Sequence, residues 1–300
     1  MSSIIIHYKN CPVCGSASIK PVLWVRDFTV TQELFQVMEC EACTLRFTQD
    51  VPTASAIAPY YKSEDYISHT NTSKGLINRL YQSVRKRTMK AKRELVEDQT
   101  GRYAGELLDV GSGIGTFARE MKNGGWHVTG LEPDADARSV AKKLYNVDLS
   151  ETSALFSLKE GSFDAITLWH VLEHVHELDK YVNQFKNLLN DSGKLFIAVP
   201  NYTSKDASVY QEFWAAYDVP RHLYHFSPES IKTLMEKHGM KIDQYRPMWY
   251  DSFYISLLSS KYKNRKANLI AAFWNGLRSN SKALTSAKNC SSVIYIISKA

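Results

Sequence analysis

Apolar segments of strand length alternate with longer segments of mixed polarity over residues 106–200. We expect strands near 106–110, 126–131, 147–149, 163–169 and 194–199. The segments between them predict helices near 115–123, 135–145 and 177–190. Strands and helices that alternate in this way form right-handed βαβ units, which build a parallel sheet. The pattern therefore predicts an α/β fold.

The remaining segments predict how the chain divides into domains. Residues 1–50 read as a small separate module, and residues 51–100 as a connector that ends in a basic helix over 76–98. Residues 101–300 read as the main domain. Within it, residues 253–289 mix apolar and basic side chains, which predicts a helical insertion that forms either a lid or a membrane-surface element.

A glycine-rich loop follows the first predicted strand of the main domain. Its glycines are Gly111, Gly113 and Gly115. Glycines at a strand-to-helix turn allow positive φ and let a ligand approach the backbone. A dinucleotide is the usual ligand of such loops, but Asp109 lies two residues before the first glycine. Its carboxylate would repel a pyrophosphate and would suit a cationic group, such as an amino group.

A second carboxylate follows at the end of the next predicted strand. Glu132 comes directly after the strand over 126–131, where a carboxylate can accept hydrogen bonds from both hydroxyls of a ribose. Asp109, the glycine loop and Glu132 occur in this order, and together they predict a binding site for S-adenosylmethionine. The alternative is an ordinary α/β turn with two unrelated acids.

Four of the five cysteines form two Cys-x-x-Cys pairs, at Cys11, Cys14, Cys40 and Cys43. Two such pairs predict a zinc ribbon, in which four thiolates complete a closed, structural, tetrahedral site. The alternatives are disulfides or free buried thiols, and a reducing compartment argues against disulfides. Cys290 stands apart, and we expect it to be a buried core thiol.

Over about residues 75–300 the chain resembles the class I S-adenosylmethionine-dependent methyltransferases. The landmarks are Leu107–Gly115, Glu132, Phe163–His174 and Gly193–Pro200. The resemblance implies a Rossmann-like, seven-stranded, mostly parallel sheet with a reversed last strand. It also implies that Trp169 and His170 face the cofactor or the acceptor, and that Glu173 and His174 brace the following loop. Some quinone-pathway methyltransferases place a metal at a Glu-x-x-Glu-His motif here. His170 replaces their first Glu, so we expect no metal at this position.

A second informative cluster lies at 217–227, where histidines and tyrosines precede a predicted helix. Histidine suits proton removal at neutral pH, so His222 is our candidate general base. The alternative is that His222 hydrogen-bonds the loop backbone.

A zinc ribbon ahead of this fold, with a His-Leu-x-x-Phe-Ser motif in this cluster, resembles the zinc-binding sugar C-methyltransferases of deoxysugar pathways. That family carries glutamate before the histidine, where this chain has Arg221. The difference argues against C-methylation, whereas O-methylation of a sugar or similar hydroxyl needs one base. Arg221 could instead pair with a phosphate or carboxylate of the acceptor. The same resemblance implies an acceptor-contacting tyrosine among Tyr60, Tyr61 and Tyr66.

Charge and segment length restrict the partners only mildly. The net charge of +6 permits an anionic partner without requiring one. No apolar run approaches the length of a membrane span, and residues 1–7 lack the charged start of a signal peptide. We therefore expect a cytoplasmic protein.

Three functions fit these observations. The first is a methyltransferase for a small-molecule acceptor, such as a sugar or a nucleotide-linked glycosyl group. The second is an RNA methyltransferase in which the ribbon and the basic residues over 79–93 grip nucleic acid. The third is a catalytically silent adaptor that binds the cofactor. The sequence favours the first, because the ribbon is not notably basic and no platform for stacking bases is evident.

Overall fold

The computed structural model of the protein describes residues 4–61, 76–266 and 268–300, and for residues 76–85 it describes the backbone alone. The chain forms two compact units. The first unit comprises Met1–His69, Leu172–Asp179 and Ala198–Tyr295. The second unit comprises Thr70–Val171, Lys180–Ile197 and Ile296–Ala300.

The secondary structure follows the predicted alternation closely. The strands are β1 (Ile5–Ile6), β2 (Ile19–Arg26), β3 (Leu34–Cys40), β4 (Arg46–Thr48), β5 (Val51–Pro52), β6 (Glu106–Val110), β7 (His127–Leu131), β8 (Leu149–Ser150), β9 (Phe163–Trp169), β10 (Leu189–Pro200), β11 (Tyr224–His225), β12 (Met240–Pro247) and β13 (Ser292–Lys299). The α-helices are α1 (Leu76–Thr100), α2 (Thr116–Asn123), α3 (Ala135–Tyr145), α4 (Leu178–Leu188), α5 (Lys205–Tyr210), α6 (Pro228–Lys237), α7 (Asp251–Asn264) and α8 (Leu269–Ala283).

A seven-stranded sheet runs through the described residues in the order β12-β13-β10-β9-β6-β7-β8. Strand β6 pairs in parallel with β7 and with β9, and β7 pairs in parallel with β8. This confirms the predicted α/β fold with a seven-stranded, mostly parallel sheet. The reversed direction of the last strand stays a prediction.

The core of the second unit explains why its central strands read as continuous apolar runs. Leu107 and Leu108 on β6 are fully buried, because a central parallel strand is covered on both faces. Phe117 and Met121 on α2 belong to the same apolar cluster as Leu107, together with Val96 on α1. This packing fixes β6 and α2, and therefore fixes the two ends of the glycine loop.

The first unit contains a four-stranded sheet in the order β11-β4-β3-β2. Tyr224 on β11 pairs with Phe47 on β4, so the sheet of the predicted 1–50 module takes one strand from outside those residues. The sequence did not indicate this pairing, because a two-residue strand carries no periodicity. The predicted domain boundaries at residues 50 and 100 stay predictions.

Helices α7 and α8 form the helical insertion that was predicted over 253–289. The two helices pack closely at Gly276, where an added Cβ would collide with the ring of Phe253. Within the described residues, we find no helix with both the length and the apolar character that crossing a bilayer requires.

Candidate functional site

The glycine loop of the second unit turns tightly between β6 and α2. Gly111 has a φ of +70°, and a Cβ there would collide with the side chain of Val171. Gly113 has a φ of +53°, and a Cβ there would meet no described atom within 4 Å. The backbone therefore borders open space at Gly113, which is where a closely approaching ligand requires a residue without a side chain.

Glu132 is fixed against this loop by backbone donors. The N–H of Gly113 donates to its Oε2 at 2.7 Å, and the N–H of Asp134 donates to its Oε1 at 3.0 Å. Burial raises the pKa of Glu132, which these two N–H groups oppose. Each carboxylate oxygen has a second lone pair, so Glu132 can still accept two hydroxyl donors. This is the capacity that the two hydroxyls of a ribose would use.

Asp109 is a buried carboxylate at the end of β6. Thr167 donates to its Oδ1 at 2.8 Å, whereas its buried Oδ2 has no hydrogen-bond partner among the described residues. Burial raises the pKa of Asp109 to about 6. A buried acceptor without a partner is costly, and the amino group of a ligand would satisfy it.

Trp169 and His170 lie at the end of β9. The ring of Trp169 contacts Phe117 edge-on at 5.4 Å, and the Lys92 ammonium lies 4.3 Å from its centroid. Its buried indole N–H has no partner among the described residues. His170 adopts a left-handed backbone with a φ of +59°, a conformation that is uncommon for residues other than glycine. Their contact with a cofactor or acceptor stays a prediction.

The four paired cysteines of the first unit come together as the spacing predicted. Their sulfur atoms all lie within 4.8 Å of one another, at Cys11, Cys14, Cys40 and Cys43. The Sγ atoms of Cys11 and Cys43 are 3.5 Å apart, as are those of Cys14 and Cys40. A tetrahedral zinc with bonds of about 2.3 Å to sulfur separates its ligands by nearly this distance. The set therefore has the composition and spacing of a closed zinc site.

The two cysteine knuckles repeat the same backbone geometry. Gly15 donates to the carbonyl of Cys11, and Thr44 donates to the carbonyl of Cys40, each at 2.9 Å. Both donors have positive φ, 76° at Gly15 and 60° at Thr44. Threonine rarely adopts this conformation. Thr44 is therefore held there by its surroundings, which include a 2.7 Å hydrogen bond with Ser227.

His222 lies in the first unit with one ring nitrogen fixed by the backbone. Its Nδ1 is 2.9 Å from the carbonyl oxygen of Ala216. A carbonyl can only accept, so Nδ1 carries the hydrogen and Nε2 presents a lone pair. The Oδ2 of Asp218 lies 4.0 Å from Nε2. The predicted alternative, a backbone hydrogen bond, is thus observed, and it sets the tautomer that a base needs.

His174 packs perpendicular to His222, with ring centroids 4.6 Å apart. Its Nδ1 donates to the carbonyl of Arg221 at 3.0 Å. Burial and the nearby His222 lower the pKa of His174 to about 4, so His174 is neutral at pH 7. The carbonyl of Glu173 accepts from the N–H of Leu223. Glu173 and His174 therefore hold the 221–223 segment.

Donor atoms of Glu173, His174 and His222 also lie within 4.8 Å of one another, close enough to hold a cation.

Arg221 does not have the exposure that binding an acceptor would need. Its side chain is fully buried, and its Nη2 donates to Asp27 at 2.9 Å and to Asp218 at 2.7 Å. Its Nη1 donates to the carbonyl of Tyr60 at 2.7 Å. The alternative that Arg221 pairs with a phosphate or carboxylate of the acceptor is therefore unsupported. Sequence reasoning missed the pair with Asp27, because Asp27 is 194 residues away along the chain.

The two described connector tyrosines, Tyr60 and Tyr61, have different hydrogen-bond partners. The Tyr60 hydroxyl donates to Glu33 at 2.8 Å, and burial with the nearby carboxylate raises the pKa of Tyr60 to about 12. The Tyr61 hydroxyl lies 3.1 Å from Nδ1 of His174. Tyr66 lies outside the described residues. Of the two described tyrosines, Tyr61 is therefore the one beside the histidine pair.

Comparison with known proteins gives a family and a fold. A sequence model for a family described as a methyltransferase domain matches residues 81–245, which is more than half of the chain. The ubiquinone biosynthesis O-methyltransferase of Glaesserella parasuis is 34% identical over 122 residues, covering 37% of this chain and 52% of that protein. The corresponding protein of Nitrosococcus oceani is 29% identical over 172 residues, covering 53% of this chain and 72% of its own length. The chain thus spans about half the length of the first of these relatives.

Among solved structures, the chain is similar to the geranyl diphosphate C-methyltransferase from Streptomyces coelicolor, solved with S-adenosyl-L-homocysteine. The TM-score is 0.52 at 11% identity, over 77% of this chain and 86% of that one. At this identity the likeness supports the fold alone.

Proposed function

The chain belongs to the methyltransferase domain family, and we propose from this premise that it moves a methyl group from S-adenosylmethionine to a hydroxyl of a small-molecule acceptor. The observation that carries the proposal is the arrangement of Asp109, Gly113 and Glu132 in the second unit. An unsatisfied buried carboxylate oxygen, an open backbone and a carboxylate with spare lone pairs match an amino group and a ribose. The cofactor, when bound, supplies an electrophilic methyl group on a sulfonium.

In this proposal the residues of the second unit bind and orient. Asp109 would accept hydrogen bonds from the amino group, and Glu132 from the ribose hydroxyls. Charged hydrogen bonds of this kind contribute about 1.5–3 kcal/mol each. Holding the donor in one orientation matters because methyl transfer is an in-line displacement whose rate depends on alignment.

His222 would remove the proton of the acceptor hydroxyl. The supporting observation is the tautomer, since the carbonyl of Ala216 occupies Nδ1 and leaves the lone pair on Nε2. The proton would pass from the hydroxyl oxygen to Nε2, and the oxygen would form the new bond to the methyl carbon as the bond from that carbon to sulfur breaks, with the electron pair left on the sulfur of S-adenosylhomocysteine. Positioned bases of this kind contribute about 10²–10⁴-fold in rate.

The acceptor class rests on two supports of different kinds. The two relatives described above are named as O-methyltransferases, which supports a hydroxyl acceptor. The His-Leu-x-x-Phe-Ser motif with a cysteine ribbon supports a sugar or nucleotide-linked glycosyl group. We further propose that the four cysteines hold a structural zinc, and their sulfur separations support this.

Calorimetric titration with S-adenosylmethionine, and with NAD as a control, tests the cofactor. Binding of the first alone supports the proposal, whereas binding of NAD or of neither contradicts it. Turnover is then followed as S-adenosylhomocysteine release with a panel of nucleotide sugars and phenols. We expect His222→Ala to lose at least 100-fold in turnover with cofactor affinity retained. His127→Ala, at an exposed histidine, is the matched control and should keep full turnover.

The same assays separate the alternatives. A catalytically silent adaptor would bind the cofactor and release no product with any acceptor. An RNA methyltransferase would show salt-sensitive RNA binding. Against RNA, three of the described basic side chains of α1 have local partners: Lys90 pairs with Glu94, Arg93 pairs with Glu120, and Lys92 covers Trp169.

A further inference from the structure

Helix α8 of the first unit turns its large apolar side chains outward. Those with exposed fractions between 41% and 73% are Leu269, Ile270, Phe273, Trp274 and Leu277. Its buried positions carry small residues, at Ala272, Gly276, Ser279 and Ala283. An ordinary surface helix shows the opposite arrangement, with its apolar stripe facing the core. The interior contacts of α8 therefore do not explain why its outer face is apolar.

A helical wheel sorts α8 into three sectors. At about 100° per residue, the exposed apolar side chains share one arc of roughly 140°. The exposed Arg278 and Lys282 lie beside that arc, and the small buried residues occupy the rest. Trp274 falls at the border between the apolar and basic sectors, and tryptophan is enriched at such boundaries in membrane interfaces.

After Asp251, its first residue, the sequence that forms this helical pair is basic. Residues 252–300 contain eight lysines and arginines and no aspartate or glutamate. The exposed basic residues of the helical pair and its turn are Lys261, Lys263, Arg265, Lys266, Arg278 and Lys282. A shallow depression at the turn combines Lys266 with Leu269 and Ile270. Basic and apolar groups are thus contiguous at this end of the helical pair.

We propose that the outer face of α8 binds the surface of a bilayer that contains anionic lipid. Apolar side chains that sink to the acyl boundary, beside cations that meet phosphate groups, are what an interfacial helix requires. A nucleic acid would use the charge but leave five large apolar side chains uncovered. A second copy would bring the same basic patch against itself, because a two-fold interface is self-complementary. The apolar side chains occupy one arc of α8 and the opposite arc is buried, so the proposed contact is one of lying on the surface.

Vesicle flotation tests the proposal with the full chain. We expect the protein to float with vesicles of phosphatidylcholine mixed with phosphatidylglycerol, not with phosphatidylcholine alone, and to bind less tightly as salt is raised. The double variant Arg278→Gln/Lys282→Gln should weaken binding roughly 30-fold, at about 1 kcal/mol for each charge. Phe273→Ser/Trp274→Ser should abolish it. Tyr103→Ser, at a tyrosine that is 77% exposed elsewhere, is the control and should bind as wild type.

Three outcomes would overturn the proposal. The first is no binding to the mixed vesicles. The second is binding that neither double variant weakens. The third is a dimer in light scattering that Phe273→Ser/Trp274→Ser dissociates without any vesicle binding, which would identify a second copy as the occupant. Titration of the same variants with S-adenosylmethionine should match wild type, so failure here is distinguishable from failure of the proposed function.

Discussion

Replacing Arg221 by methionine should cause a large loss of stability. Methionine keeps much of the apolar volume of the side chain but removes the charge and every donor. In the wild-type protein the Nη2 of Arg221 lies 2.9 Å from Asp27 and 2.7 Å from Asp218. In the variant, these two carboxylates would have no cation between them. The carbonyl of Tyr60 would also lose its donor.

The magnitude follows from burial. The side chains of Arg221 and Asp27 are 0% exposed, and that of Asp218 is 22% exposed. Removing one partner of a buried pair costs about 3–5 kcal/mol, because the other charge stays buried. A typical domain is stable by only about 5–15 kcal/mol, so the variant should lose a large fraction of its stability. Lys20→Met breaks a half-exposed pair with Glu41 and should change the stability little, because solvent screens exposed charges.

Urea unfolding followed by tryptophan fluorescence measures the difference. We expect the midpoint of Arg221→Met to fall by on the order of 1 M, with that of Lys20→Met nearly unchanged. Adding Asp27→Asn to Arg221→Met should restore part of the loss, because it removes one stranded carboxylate. A loss below about 1 kcal/mol in Arg221→Met would refute the reasoning, since it would mean that water or a rearrangement replaces the guanidinium.

Three further predictions concern the carboxylates and the cysteines. Glu132→Ala should weaken S-adenosylmethionine binding by about 1–3 kcal/mol in calorimetry. Affinity equal to that of wild type would mean that the cofactor placement is wrong. Glu160→Ala, at an exposed glutamate, is the control and should bind as wild type. Asp109 has a raised pKa of about 6, so its protonated form favours folding at low pH, and this contribution is lost as the pH rises from about 4 to 6. Without cofactor, Asp109→Asn should therefore gain up to about 3 kcal/mol over wild type between pH 4 and pH 7, and parallel pH profiles would contradict this. Cys11→Ser should lower bound zinc, measured by elemental analysis, and lower the thermal midpoint; a wild-type protein that is folded and free of metal would count against the zinc site.

Much of the candidate cofactor site of the second unit could be predicted from sequence, because its signals are local. Gly113 and Glu132 are 19 residues apart, and a strand-turn-helix-strand unit of fixed geometry joins them. The cysteine knuckles are local in the same way, since each hydrogen bond that closes a knuckle spans four residues. Such features follow from spacing and residue type alone.

Other features depend on contacts between distant segments. Arg221 reads in the sequence as a cation that could pair with an acceptor, because its buried partner Asp27 is 194 residues away along the chain. The tautomer of His222 depends on which backbone carbonyl meets Nδ1, which no residue pattern records. The outward apolar face of α8 was ambiguous for another reason. Hydrophobic periodicity gives the angle of a stripe and does not say which stripe faces the interior.

Strand β11 has a consequence for how the protein is made. It completes the sheet that begins with β2, and the Thr48 hydroxyl donates to the carbonyl of His222, 174 residues further along. At roughly 5–20 residues per second, the ribosome needs about 10–35 s to travel between these two points. During that interval β4 has an unpaired edge. An unpaired strand edge can pair with another chain and lead to aggregation. The cysteine knuckles are complete by residue 45. An ion captured there could keep the early strands in register until the rest of the sheet is synthesised.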